Sequence, residues 1–138
     1  MTKDVLITVS GVQMDIDDTP IELVTTGTYY LKNGKHYVLY DEQAEEQVPV
    51  TKNTVKFYGG HFEMMKKGGV NSLLLFDDGK KSSSVYNTPF GPLQMDVVTK
   101  EMDIFESEDE LRVNIKYTLD INHNFVSECE VHFTVQAR

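Results

Sequence analysis

Apolar and polar residues alternate with a period of two along most of the chain. From Leu111 to Ile121 the odd positions are Leu, Val, Ile, Tyr, Leu and Ile, and the even ones are Arg, Asn, Lys, Thr and Asp. Successive side chains of a strand point to opposite faces, so this pattern predicts a half-buried antiparallel strand. A helix would scatter the same residues around its circumference. The next segment places Phe125, Ser127, Cys129, Val131, Phe133 and Val135 on one face, opposite Glu128, Glu130, His132, Thr134 and Gln136. Asn122-His123-Asn124 between the two segments reads as a three-residue hairpin loop, with Asn able to take the left-handed conformation.

The N-terminal third follows the same rule. Val5, Ile7 and Val9 share a face. After a turn expected over Asp15–Pro20, Ile21, Leu23, Thr25, Gly27, Tyr29 and Leu31 share another. Asn33-Gly34 then predicts a tight hairpin into Lys35–Asp41, because both central residues of a type I′ turn need positive φ. Residues 54–57, 62–66, 72–76 and 82–88 read as short strands punctuated by Gly59-Gly60, Lys67-Gly68-Gly69 and Asp77-Asp78-Gly79. A longer strand starts at Leu93 and reaches Phe105. Its alternation changes phase near Lys100–Met102, which predicts a β-bulge. Asp41–Gln47 fits a single helical turn that Pro49 would end. The expectation is one all-β domain over residues 1–138, an antiparallel up-and-down β-barrel of about eight to ten strands. Closure is favoured over a sandwich because it removes exposed edges.

Composition narrows the function classes. The chain has 138 residues and a formal net charge of −9. An acidic balance opposes phosphate backbones and anionic membrane surfaces, so neither nucleic acid nor a membrane is an expected partner. The polar N-terminus shows no signal peptide and no apolar run approaches the ~20 residues of a spanning helix, so a cytoplasmic location is expected. One cysteine, Cys129, excludes an internal disulfide and a cysteine-based zinc cage. Its neighbours Phe125, Val131 and Phe133 on the same predicted face mark it as an inert core thiol.

Catalytic and metal constellations are not found. His36, His61, His123 and His132 lack local metal-ligand spacing. Asp15-x-Asp17-Asp18 resembles the start of a calcium loop, but Pro20 stands at the turn-glycine position and Thr26 where a bidentate Glu is needed. No phosphate-binding glycine loop or nucleophile elbow occurs, and no nucleophile, base and orienter can be assembled, so no enzyme activity and no cofactor are expected. The inward faces do combine aliphatics with hydroxyls. Thr25, Tyr29, Thr99 and Tyr117 lie there, with Tyr37 and Tyr86 as further members. Apolar walls with a few polar groups suit a small-molecule pocket. The competing reading is a filled barrel, since Met95, Phe125, Phe133, Tyr29 and Tyr117 are bulky enough to occupy an interior of this size.

The segments Gly11-x-Gln13, Ile21-Glu22-Leu23-x-Thr25-x-Gly27-x-Tyr29, Asn87-Thr88-Pro89-Phe90-Gly91 and Thr99 resemble the YwiB-like family, small bacterial proteins of unknown function. The resemblance implies a calycin- or lipocalin-like barrel of about eight strands in a cytoplasmic protein, and brings no substrate or catalytic residue with it. By analogy with ligand-carrying barrels, the expectation is a small apolar or amphipathic ligand held by Thr25, Tyr29, Tyr86, Thr88, Thr99 and Tyr117. The alternative is a filled, non-enzymatic barrel that binds another protein or pairs with itself as a homodimer. Apolar residues on the outer face, namely Leu6, Val12, Val24, Tyr30 and Val98, motivate it.

Overall fold

A computed structural model describes residues 3–13, 17–42, 49–68, 71–88 and 91–138; the side chains of residues 12–21 and 86–90 lie outside that description. Ten antiparallel strands form one sheet: β1 (Asp4–Gln13), β2 (Asp17–Lys32), β3 (Lys35–Glu42), β4 (Thr51–Tyr58), β5 (His61–Gly68), β6 (Ser72–Asp77), β7 (Lys81–Thr88), β8 (Gly91–Glu106), β9 (Glu110–Ile121) and β10 (Asn124–Ala137). No helix is present among the described residues, and so none long and apolar enough to cross a membrane. Each strand pairs with its sequence neighbours except at one place. β1 pairs with β10, Val5 opposite Ala137 and Val9 opposite Phe133, so the terminal strands join. The break in the ring falls mid-chain, between β6 and β7. The result is a nearly closed barrel.

The strand register follows the alternation. In β9, Leu111, Val113 and Ile115 are buried and Arg112, Asn114 and Lys116 exposed. The Asn33-Gly34 turn has φ of 54° and 75°, the positive values its sequence predicts. The phase change in β8 is a register shift between Thr99 and Glu101, which leaves Lys100 as the extra residue.

Five expectations change. The second long hairpin closes through two residues, Asn122 and His123, at φ 50° and 66°, so Asn124 already belongs to β10. Phe125 points outward and is 61% exposed. A register shift between Phe125 and Ser127 inserts Val126, so Phe125 stands opposite Asp120 instead of an inward residue. Of the turn expected over Asp15–Pro20, residues 17–20 belong to β2 and the rest lies outside the described residues; Gln13 pairs with Asp17 and Gly11 with Ile21, so Pro20 falls where the ladder is interrupted and its missing N–H costs least. Tyr37 lies on the outer face, stacked on Tyr30 at 4.9 Å. Of the helical turn expected over Asp41–Gln47, Asp41 and Glu42 belong to β3 and the rest lies outside the described residues.

The barrel is packed hardest at the end that carries the β2–β3, β4–β5, β6–β7 and β8–β9 turns. Phe62 sits among Phe57, Phe76 and Phe133 with ring centroids 5.4–6.0 Å apart, and Tyr117 meets Phe76 edge-on at 4.9 Å. Each such ring contributes roughly 1.5–3 kcal/mol through burial alone, plus an edge-to-face term. Across the same end runs a hydrogen-bond chain: the Tyr29 hydroxyl meets His36 Nδ1 at 2.8 Å, and His36 Nε2 meets Glu106 Oε1 at 2.8 Å. It ties β2, β3 and β8 together across the lumen. Burial raises the Tyr29 phenol above its usual range, and the nearby Glu106 charge adds to that.

Candidate functional site

The wall of the barrel is interrupted at the opposite end. β2 and β3 pair only from Thr28–Leu39 down to Lys32–Lys35. Beyond that point β2 continues with β1 as far as Ile21, and β3 continues with β4 as far as Glu42–Thr51. The two strands therefore part, and a cleft of about 500 Å³ opens between them, lined by Thr25–Thr28, Leu39–Asp41 and Lys52–Thr54. Gly27 stands beside the last pair before the strands part. A Cβ there would run into the Leu39 carbonyl oxygen and the Ile7 side chain, so β3 approaches β2 that closely only because this residue has no side chain.

Three inward positions line the cleft: Thr25 on β2, Tyr40 on β3 and Asn53 on β4. Tyr40 is buried, and that burial, reinforced by the Glu42 carboxylate, raises its phenol well above the usual range, so it is neutral and available as a donor. Asn53 is 1% exposed. Its Nδ2 faces two acceptors at the long distance of 3.5 Å, the Glu42 carboxylate and the Thr51 carbonyl. Because both neighbours are acceptors, the amino end must face them and the carbonyl end must face away. That Oδ1 has no partner. A buried amide oxygen left unpaired costs about 1–3 kcal/mol, so it marks a position where folding alone is not what the residue serves. Glu42 in turn accepts from Lys66 Nζ at 2.9 Å, an ion pair inside the rim of the barrel.

The residues expected to hold a ligand are spread over two regions. Thr25 lines the cleft. Tyr29 is inward but engaged with His36. Tyr117 is packed against Phe76, and burial, with Cys129 nearby, raises its phenol. Thr99 is fully buried and its Oγ1 is the second unpaired polar atom among the described residues. Tyr86 and Thr88 belong to β7, and their side chains lie outside the description. Asn53 and Tyr40 were not expected. Extending the β4 alternation back to Thr51 would have placed Asn53 inward, and a lone amide among inward apolar residues is the signal.

The matching family model covers residues 7–133 and is described as a domain of unknown function, DUF1934. The chain belongs to this family. It is 30% identical over 112 residues to an uncharacterised β-barrel protein, YwiB of Bacillus subtilis (strain 168), covering 81% of this chain and 78% of that one. The crystal structure of the B. subtilis ywiB protein superposes with a TM-score of 0.83 at 27% identity, over 99% of this chain and 92% of that one. The likeness to YwiB supports the β-barrel and brings no activity with it.

Proposed function

We propose that this DUF1934 barrel is a binding protein that holds one small amphipathic molecule in the cleft between β2 and β3, without catalysing a reaction. One observation carries the reading: the buried Asn53 carbonyl that lacks a hydrogen-bond partner sits in the wall of a cleft of about 500 Å³. A ligand O–H or N–H would satisfy it, Tyr40 and Thr25 offer a donor and a hydroxyl beside it, and Leu39 supplies apolar wall. A volume of this size suits a metabolite. The ring-filled end of the barrel leaves the parted end as the place for a guest.

The test uses one substitution with opposite effects on stability and binding. Asn53→Leu replaces an unpaired buried amide by an apolar side chain of similar volume, so the variant is expected to be at least as stable as the native chain. A thermal-shift screen of small amphipathic metabolites bearing hydroxyl or amino donors is expected to find compounds that raise the native melting temperature and leave Asn53→Leu unmoved. A bare mass in native mass spectrometry together with no shift across the panel contradicts the reading. Equal shifts in both proteins contradict it as well.

A further inference from the structure

We infer that the outer face of β2–β5 is a binding surface for single-stranded nucleic acid. The argument is independent of the cleft's proposed ligand and rests on how charge and aromatic rings are distributed. The chain carries a net charge of −9. Yet among the described side chains the outward positions of these four strands hold five lysines, Lys32, Lys35, Lys52, Lys56 and Lys67, against three carboxylates, Glu22, Asp41 and Glu63. Of the five, only Lys56 has a carboxylate partner, Glu63 at 3.7 Å; the other four have no ion pair among the described residues. This face thus carries a local excess of positive charge on an acidic molecule, with Lys32, Lys35 and Lys67 facing no carboxylate across the ladder, which is what a polyanion requires.

The rings are the second observation. Register places Tyr30 opposite Tyr37 and Tyr37 opposite Lys56 in one cross-strand row. The two tyrosines stack with centroids 4.9 Å apart and planes 8° from parallel. In the adjoining row Lys35 Nζ lies 4.8 Å over the Tyr58 ring, and Lys56 reaches both Tyr37 and Tyr58 at about 6 Å. Tyr30 is 43% exposed although it is apolar over most of its surface. A parallel tyrosine pair beside ammonium groups is an arrangement that can extend its stack onto an unstacked base while the lysines take phosphates. A duplex hides its base faces and cannot use it. The acidic net charge of the whole chain argues against this partner only if the charge is uniform, and it is not.

The experiment is fluorescence anisotropy of a labelled 12-nucleotide single-stranded RNA and its DNA counterpart with the full chain at low salt. Binding is expected, weakening with salt with a log–log slope near −2, the value for roughly three neutralised phosphates on a single strand. Lys52→Glu with Lys56→Glu is expected to weaken it at least tenfold. Tyr30→Ala with Tyr37→Ala is expected to weaken it severalfold at unchanged circular dichroism. Lys52→Gln with Lys67→Gln, both exposed positions, serves as the milder pair should the others unfold, and is again expected to weaken binding. Lys100→Glu with Lys116→Glu, the same charge change on β8 and β9, is expected to have the smaller effect. Absence of binding, an equally tight duplex, indifference to the tyrosine pair, or an equal loss from the β8–β9 pair would overturn the inference.

Discussion

Gly27 is the residue on which the cleft turns. Its missing Cβ lets the Leu39 carbonyl and the Ile7 side chain close on the β2 backbone. Gly27→Ala therefore overpacks a wall that has no room to yield. The expected loss is about 1–3 kcal/mol, read as a melting temperature lower by several degrees; an unchanged melting temperature would show that the wall yields at this point. Asp96 makes a different single-residue prediction. It lies on the outer side of β8 under a cover of neighbours: Ser83 donates to its Oδ1 at 2.6 Å, Gln94 at 3.2 Å, and Lys81 and His123 stand 3.9 and 3.6 Å from Oδ2. The Ser83 and Gln94 bonds, with Lys81 and His123 nearby, hold its carboxyl below the ordinary 3.8. A carboxyl whose folded pKa is depressed adds stability that is complete above the unfolded value and is lost as pH falls through the folded one. Denaturation from pH 6 down to pH 3 should therefore destabilise the native chain more than Asp96→Asn, and parallel losses would refute it.

At the level of elements, the hairpins and bulges carry most of the information. The Asn33-Gly34 turn, the Gly59-Gly60 turn and the β8 bulge at Lys100 all stood in the pattern, because each depends on a local property: tolerance of positive φ, or a break in two-residue alternation. The Phe125 misplacement has the same origin. Phe125-Val126 is an adjacent apolar pair, so the alternation fails there too, and the bulge that results turns Phe125 out to 61% exposure. The separation of β2 from β3, by contrast, is a relation between strands, and no local pattern encodes it. The same holds for the break between β6 and β7. They are consecutive and joined by a tight turn, yet among the described residues no ladder connects them. Their outer edges should exchange early. Amide hydrogen exchange is expected to be fast on alternate residues of β6 and β7 and slowest in β9 and β10, which are paired on both sides. Uniform protection around all ten strands would mean that the ring closes fully.

On the scale of the whole molecule, the barrel divides into a ring-packed end that supplies stability and a parted end that does not. Phe62, 1% exposed among Phe57, Phe76 and Phe133, belongs to the first. Phe62→Ala should cost about 3–5 kcal/mol and leave the cleft's ligand affinity unchanged in the fraction that remains folded, as chemical denaturation and titration would report; a small loss would mean that the rings are not the main support. The fold was legible because one face of every long strand had to be apolar, whether or not the chain does anything. The candidate site was not, because an unpaired amide on β4 and a glycine gap on β2 become a site only when the strands that carry them separate. The local lysine excess on β2–β5 escaped notice for a related reason: net charge is a sum, and the balance of its terms differs from side to side. The most direct measurement of the central claim is the side-chain amide resonance of Asn53 in a ¹⁵N-labelled sample titrated with the best compound of the thermal-shift panel. The account predicts that this resonance and the backbone amides of Thr25 and Tyr40 move together and saturate, while those around Phe62 stay in place. Saturating shifts confined to the ring-packed end, with Asn53 unmoved, would contradict it.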